Sequence, residues 1–376
     1  MRASNLGGDG GSPVAAAWMR RLARLPVLAL AIAGLVSGMA GGLARLGWDW
    51  PGQATDLWAH HGPLMVSTVF GTVIGLERAV ASGRGWAYWA PVMSGVAGVM
   101  LVAGAPVPSV VALFVAAAFI LLVTTLAMVR VSPELHTLVL AGSCLCWVAG
   151  NALWLAGFPL SAAVPWWIGF LVLVITGERL ELSRLLKPLP GRTPLFLAAA
   201  ALLLGGIARS ALPCDGALAP VGPGLLAMAL WLARFDIAHR TVRQSGLPRY
   251  VAVCLLAGYA WLGAAGVLVV WDEVVAASFL RDAALHAVFL GFVLTMVFAH
   301  APIILPALLR VTVRYSPVFY VHVAVLHASV AFRVLADLLE GTGARAWAGL
   351  GNSVAILMFA ALMATAIWRG RTPARR

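Results

Sequence analysis

The sequence has few charged residues, only four cysteines and no motif of a soluble nucleotide-binding enzyme. Asp, Glu, Lys and Arg make up 11% of its 376 residues, whereas soluble domains carry about 25%. The low charge excludes a soluble enzyme and a disordered chain. Because neither a P-loop nor a G-x-S-x-G elbow occurs, an ATP-driven pump has no support. The cysteines form no CxxC motif, so no disulfide framework is predicted.

Long hydrophobic runs are what the sequence has in abundance. Hydrophobic residues make up 62% of the chain and fall in runs of about 20, each long enough to cross a lipid bilayer. This pattern predicts an all-α, polytopic transmembrane helix bundle over residues 25–368, between an N-terminal segment (1–24) and a basic tail (369–376). About twelve helices are predicted, near residues 25–46, 61–80, 86–104, 109–129, 136–156, 163–180, 193–211, 220–237, 249–271, 282–305, 317–339 and 346–368.

The first hydrophobic run leaves two interpretations open. It follows a basic segment and ends near small residues, which is also the pattern of a cleaved signal peptide. The run reaches about 20 residues, more than the usual signal core of about 7–15 residues. We therefore expect an uncleaved first helix.

The net charge of +12 indicates membrane topology rather than a nucleic-acid partner. With twelve spans, 21 of the 26 Lys and Arg residues fall on the side that carries both termini. By the positive-inside rule this side is the cytoplasm, so we expect a multi-pass protein of the bacterial inner membrane with cytoplasmic N- and C-termini. The five basic residues on the other side are Arg45, Arg209, Arg281, Arg333 and Arg345.

Short internal similarities predict a repeat of three four-helix units. Segment 73–78 (Val-Ile-Gly-Leu-Glu-Arg) resembles segment 174–179 (Val-Ile-Thr-Gly-Glu-Arg), and 169–172 (Gly-Phe-Leu-Val) resembles 291–294 (Gly-Phe-Val-Leu). Extending both registers places Glu77, Glu178 and His300 at equivalent inner ends of predicted helices 2, 6 and 10. Apolar helices of limited composition also produce such matches by chance.

Polar side chains inside a membrane are costly and are candidates for function. His61 and His286 both lie in the first turns of helices that start on the outer side, so their depths match within about one turn, roughly 5 Å. Two histidines at matched depth can supply both axial ligands of a haem iron, and Arg333 can face a propionate. The alternatives are structural hydrogen bonds for the histidines and an i,i+4 ion pair of Arg333 with Asp337.

A second polar set belongs to the inner half of the membrane and comprises Glu77, His136, His300 and His322. We expect these side chains to converge near the cytoplasmic surface as a metal or proton site. Imidazole and carboxylate bind copper, zinc or iron, and the sequence does not choose among these metals. The alternative is a set of capped helix ends, with Glu77 and Glu178 paired to neighbouring arginines.

Two short motifs carry a resemblance to known membrane protein families. The segment 60–65, His-His-Gly-Pro-Leu-Met, resembles the His-Gly-x-x-Met opening of helix II in the heme-copper oxidase catalytic subunit. The segment 285–291, Leu-His-Ala-Val-Phe-Leu-Gly, is similar to the His-Ala-x-x-x-Gly pattern of NnrS-like proteins, which are haem- and copper-associated and linked to nitric oxide stress. The resemblance implies twelve helices in three arcs with haem ligands on helices 2 and 10. It does not imply oxygen reduction, because predicted helices 6 and 7 contain no histidine.

The leading functional hypothesis is therefore a membrane protein that binds b-type haem for redox, nitric oxide or metal stress. A redox partner or a small ligand such as nitric oxide would be its partner, and whether it is an enzyme stays open. Covalent haem attachment is excluded because no CxxCH motif occurs. The alternatives are a proton- or metal-coupled secondary transporter that uses Glu77, Glu178 and His300, and an assembly protein without a cofactor.

Overall fold

The computed structural model describes residues 24–48, 57–184, 189–211, 217–275 and 279–371. Within these ranges the chain is all-α and contains no β-strand, which confirms the predicted fold class. Eleven of the helices are long and apolar enough to cross a membrane. The predicted N-terminal segment up to residue 23 and the end of the basic tail from residue 372 lie outside the described residues.

Each predicted span coincides with a helix of the described chain. The helices are α1 (Arg24–Ala44), α2 (Leu57–Ser82), α3 (Gly85–Val102), α4 (Val107–Val131), α5 (Leu135–Leu155), α6 (Leu160–Ser183), α7 (Arg192–Ser210), α8 (Ala219–Phe235), α9 (Gly246–Val275), α10 (Leu280–Leu309), α11 (Phe319–Leu338) and α12 (Thr342–Arg371). A helical turn, Ala238–Thr241, lies between α8 and α9.

Helix α8 is the shortest of the twelve, and its end differs from the predicted one. The sequence predicts a helix to residue 237, but α8 ends at Phe235. Asp236 adopts an extended conformation, and its carboxylate accepts a hydrogen bond of 2.7 Å from the backbone N–H of Ala238. This contact favours the start of the next helical turn over continuation of α8.

The helices form a closed bundle with α2, α6 and α10 at its centre. Consecutive helices pack side by side, and α12 contacts α1. The buried share of the membrane-spanning window is 61% for α2, 78% for α6 and 56% for α10, against at most 50% for the other spans. These three central helices are the ones that carry the sequence similarities. Greater burial sets α2, α6 and α10 apart from the other spans, and the internal repeat stays a prediction.

Two central helices contain a π-helical segment that the sequence analysis did not predict. The segments are Leu64–Phe70 in α2 and Ala287–Leu294 in α10. A π-helical segment disturbs the regular hydrogen-bond ladder and often lies at a functional site. A hydroxyl group bonds to a backbone carbonyl of each segment, since Ser94 Oγ donates to the Ser67 carbonyl and Thr295 Oγ1 donates to the Leu290 carbonyl at 3.3 Å.

Candidate functional site

A cavity of about 270 Å³ lies among six helices at the end of the bundle where α2 and α10 begin. We call this end the cavity end. Most of the wall is apolar and comprises Met39, Leu43, Leu46, Met65, Val66, Phe70, Leu160, Val164, Trp167, Leu285, Phe289, Leu290, Leu294 and Ile356. The polar part of the wall consists of Arg45, His61, Asp282, His286, Arg333, Arg345, Asn352 and Ser353. An apolar wall with a few polar groups is typical of a small-molecule or cofactor site.

His61 enters the cavity from the first turns of α2. Its Nδ1 atom lies 2.7 Å from the carbonyl oxygen of Gly38 on α1. Because a carbonyl only accepts, Nδ1 carries the proton and Nε2 keeps its lone pair. Gly42 leaves room for the ring, since a Cβ atom at this position would lie 2.9 Å from Nδ1 and from Cε1 of His61. The neighbouring His60 does not line the cavity.

His286 enters the same cavity from α10 with the same tautomer. Its Nδ1 atom donates to the backbone carbonyl of Asp282 at 2.8 Å and lies 3.4 Å from the Asp282 carboxylate. Neither Nε2 atom, of His61 or of His286, has a hydrogen-bond partner among the described residues. The π-helical segment of α10 starts immediately after His286, and that of α2 starts three residues after His61. The two histidines that the sequence paired are thus brought together in one cavity.

Arg333 also lines the cavity, but carboxylates already hold its guanidinium. It forms ion pairs with Asp337 at 3.2 Å and with Asp282, and its side chain is 3% exposed. Arg345 pairs with the same two carboxylates, at 3.3 Å to Asp282. The i,i+4 pair of Arg333 with Asp337, which the sequence offered as an alternative, is therefore present. Two cations and two anions give a neutral network that joins α10, α11 and α12.

Arg45 is the cation of the wall that remains without an ion-pair partner in the described part of the chain. It is an exposed residue that directly follows α1 at the mouth of the cavity. The sequence analysis placed Arg45 on the outer side but assigned it no role. Asp282 and Arg345 were likewise missed, although Asp282 lies four residues before His286 and so on the same helix face.

At the opposite end of the bundle, the residues predicted to be equivalent lie in a chain of polar contacts. Arg78 on α2 forms an ion pair with Glu178 on α6 and lies 3.9 Å from Glu77. One residue further along α6, Arg179 Nη2 donates to Nε2 of His300 on α10 at 2.9 Å. Glu77 and Glu178 thus both lie beside Arg78, as in the predicted alternative of glutamates paired with arginines.

The other members of the predicted metal set lie in separate surroundings. His136 lies 3.9 Å from Glu181. His322 is fully buried, and its Nε2 atom lies 3.2 Å from the hydroxyl of Tyr250. Within the described ranges, no three His, Cys, Asp or Glu side chains lie close enough together to hold a metal ion. The structure therefore does not bring Glu77, His136, His300 and His322 together as one ligand set.

Comparison with known proteins identifies a family for this chain, and the description of that family gives no function. The model of the family described as "Domain of unknown function (DUF8744)" matches residues 24–368, so the chain belongs to this family. The match spans all twelve helices except the end of α12. No curated protein and no solved structure shows significant similarity to the chain.

Proposed function

We propose that this chain is an integral membrane protein that binds one b-type haem between His61 and His286. The observation that carries the proposal is the pair of imidazoles in one cavity, each with Nδ1 bonded to a backbone carbonyl and Nε2 unpartnered among the described residues. Metal-bound histidines in proteins almost always donate their other ring N–H in this way, which fixes the tautomer and the ring orientation.

The composition of the remaining wall supports a haem as the bound group. Fourteen apolar side chains, Trp167 and Phe289 among them, would pack against a porphyrin and keep water away from it. Arg45 is available to neutralise a propionate, whereas Arg333 and Arg345 are occupied by Asp282 and Asp337. We therefore assign the propionate contact to Arg45 and a supporting role to Arg333. A bound haem would supply one-electron redox chemistry at its iron.

Asp282 and its two arginines position His286. The carboxylate and the backbone carbonyl of Asp282 both lie beside His286 Nδ1, while Arg333 and Arg345 hold the carboxylate in place. His61 is held by Gly38 and by close packing against Gly42. His61 and His286 would hold the haem from two different helices, and a haem held by two imidazoles would supply electron transfer with a redox partner rather than binding of a gas such as nitric oxide.

The distribution of basic residues supports a proposed orientation of the protein in the membrane. Of the 26 Lys and Arg residues, 21 belong to the side that carries both termini. We assign this side to the cytoplasm of a bacterial inner membrane, and the cavity end then faces the periplasm.

The visible spectrum of the purified protein tests the proposal. Protein expressed with haem supplied should show reduced low-spin bands, and His61→Ala and His286→Ala should each abolish them or convert them to high spin. His60→Ala is the matched control, since His60 is adjacent in sequence but does not line the cavity. A colourless wild-type protein, or wild-type spectra of both cavity variants, would contradict haem binding.

A proton- or metal-coupled secondary transporter is the second candidate. Two contacts between ionisable groups favour it, namely the ion pair of Arg78 with Glu178 and the hydrogen bond of Arg179 with His300. Ionisable groups inside a membrane often mark ion pathways. In that case, vesicles with reconstituted protein would show uptake that depends on a proton gradient, and Glu178→Gln would abolish the uptake. Haem bands without such uptake would exclude the transporter.

A further inference from the structure

Asn151 on α5 is fully buried and accepts two hydrogen bonds from other helices. Its Oδ1 atom accepts from the indole Nε1 of Trp167 on α6 at 3.1 Å and from the hydroxyl of Ser67 on α2 at 3.2 Å. Ser67 Oγ in turn accepts from the indole Nε1 of Trp147 on α5 at 3.2 Å. All four side chains belong to residues that are at most 1% exposed. A chain of hydrogen bonds thus connects α2, α5 and α6 inside the bundle.

Only one arrangement of protons satisfies this chain. An indole N–H only donates, so the amide of Asn151 must turn its oxygen, not its nitrogen, towards Trp167. Since Trp147 likewise only donates to Ser67, the single hydroxyl proton of Ser67 is left for Asn151. The indole N–H of Trp167 is therefore held by an acceptor that does not line the cavity.

Two glycines let the three helices approach closely enough for these contacts. A Cβ atom at Gly150, the residue before Asn151, would lie 2.9 Å from Cβ of Trp166 on α6. A Cβ atom at Gly71 on α2 would lie 2.6 Å from Cη2 of Trp147 on α5. Contacts this short would push the helices apart, so a side chain at either position would disrupt the chain of hydrogen bonds.

Asn151 does not line the cavity, but both of its partners connect it to the surroundings of His61. Ser67 belongs to the π-helical segment of α2, which starts three residues after His61. Trp167 lines the cavity directly, and its ring atom Cζ3 lies 3.9 Å from the position of a Cβ atom at Gly62, the residue after His61. Asn151 thus holds both the aromatic wall residue and the helical segment that flank this histidine.

The hydrogen bond to Trp167 also keeps a competing donor away from the proposed iron ligands. The Nε2 atoms of His61 and His286 are acceptors without a partner among the described residues. A buried indole N–H that lost Asn151 would need another acceptor, and a bond to either imidazole would occupy the lone pair that binds iron. Asn151 leaves its own Nδ2 atom without a partner in the described part of the chain, which costs stability. Orientation of its neighbours therefore explains this amide better than stabilisation does.

We propose that Asn151 is a positioning residue for the axial ligand His61. It acts through Trp167, whose ring it holds beside the start of α2, and through Ser67 in the π-helical segment. With both contacts in place, the imidazole presents Nε2 to the iron in one direction. This role rests on the proposed function, since His61 without haem has no iron to bind.

The hydrogen bond of Trp167 is testable without haem. In the full chain, labelled with ¹⁵N-tryptophan in detergent, the indole N–H resonance of Trp167 is identified by its absence in Trp167→Phe. It should move upfield in Asn151→Leu and stay near its wild-type position in Asn151→Asp. Leucine has a similar size but no acceptor, whereas aspartate keeps the oxygen that Trp167 and Ser67 need. A resonance that does not move in Asn151→Leu would overturn the proposal.

Haem titration of the same variants tests the effect on His61. Asn151→Leu should lower the haem affinity about 10- to 100-fold, the usual effect of losing a group that orients a metal ligand, and convert part of the low-spin signal to high spin. Asn151→Asp should restore the affinity and the low-spin signal. Thr125→Val is the matched control, because it removes another buried hydrogen bond, at 2.9 Å to the Leu121 carbonyl, outside the cavity wall. It should lower stability and leave the haem spectrum unchanged.

The results distinguish loss of the positioning role from failure of the haem site. Low-spin haem in the wild type, with Asn151→Leu binding haem as well as Thr125→Val does, would overturn the positioning role alone. So would an equal loss of affinity in Asn151→Leu and Asn151→Asp, since the retained oxygen would then have no effect. A colourless wild type would overturn the haem site and the positioning role with it. If Asn151→Leu does not fold, Ser67→Ala removes one of the two contacts, and an unchanged haem spectrum in that variant would overturn the proposal.

Discussion

Arg78 on α2 forms an ion pair with Glu178 on α6, and the same relationship recurs one interface further around the bundle. There, Arg179 of α6 contacts His300 of α10. Glu77, Glu178 and His300 occupy the predicted repeat position on α2, α6 and α10. In both cases, the arginine one residue after this position on one helix contacts the residue at this position on the next central helix. On α10 the corresponding residue is Ala301, which has no polar side chain with which to continue the pattern to α2. The contacts therefore join α2 to α6 and α6 to α10.

Breaking the Arg78–Glu178 pair should destabilise the bundle. Arg78→Met leaves Glu77 and Glu178 without their shared cation, and the side chain of Arg78 is only 11% exposed. We expect a loss of about 1–3 kcal/mol in the free energy of unfolding, the cost of leaving buried polar groups unpaired. Unfolding in denaturing detergent, followed by circular dichroism, measures it.

A double-mutant cycle separates the pair from its surroundings. The destabilisations by Arg78→Met and Glu178→Gln should sum to more than that of the double variant, because the pair is lost only once. The exposed pair of Arg184 and Glu134, at 3.6 Å with both side chains about half exposed, provides the control cycle and should give less than about 1 kcal/mol. Strict additivity for Arg78 and Glu178 would contradict a stabilising ion pair.

The fold and the central pair of histidines could be predicted from the sequence, whereas the local geometry of the site could not. Hydrophobic runs reveal membrane helices directly, because spanning length and apolar composition are set by the bilayer. The depth of His61 and His286 then follows from their positions in the helices. The π-helical segments were not predicted, and the hydroxyl that bonds to the Ser67 carbonyl within one of them belongs to Ser94 on a different helix.

The role of Arg333 illustrates a second limit of the sequence. Spacing alone allowed either an ion pair with Asp337 or a place in the cavity, and the structure shows both at once. The contact with Asp282 on α10 is long-range and depends on how α10 and α11 pack. The metal set failed to converge for the same reason, since equal depth does not fix the direction in which His136 and His322 point.

Gly42→Ala should disturb the ligand His61 specifically. The added methyl group would lie 2.9 Å from the imidazole ring, so the ring must move or rotate. We expect weaker haem retention and a partial high-spin signal in the absorption spectrum. Gly142→Ala is the matched control, since a Cβ atom at that helical glycine meets no atom within 4 Å. If Gly42→Ala and Gly142→Ala gave the same spectrum, the His61 ring would have room for the added methyl group and the prediction would be wrong.

Reporter fusions test the orientation of the bundle. A reporter that is active only in the cytoplasm should be active when fused after Arg84 or Arg243. A reporter that is active only in the periplasm should be active when fused near Pro106. Arg84 follows α2, Arg243 follows the helical turn between α8 and α9, and Pro106 follows α3, so the three sites sample both ends of the helices. Inverted activities at all three sites would place the cavity end in the cytoplasm. Inversion at only one site would instead remove a span from the predicted topology.

Arg45→Gln and Arg333→Gln should affect haem binding in different ways. Arg45 has no ion-pair partner among the described residues, so its loss removes only the proposed propionate contact and should weaken haem retention without altering the ligands. Arg333→Gln leaves Asp282 and Asp337 with a single arginine, and burial of the uncompensated charge should lower the stability by about 3–5 kcal/mol.

Asp282→Asn in the Arg333→Gln background is the decisive comparison. It removes the negative charge that Arg333→Gln leaves uncompensated, so thermal unfolding should recover part of the lost stability. Haem retention, measured by titration with a competing haem acceptor, should not recover, because the substitution replaces the carboxylate beside His286 Nδ1 with a neutral amide. If stability recovers and haem retention recovers with it, the network acts only as a scaffold and does not position His286. If Arg45→Gln retains haem as well as the wild type does, the propionate lies elsewhere.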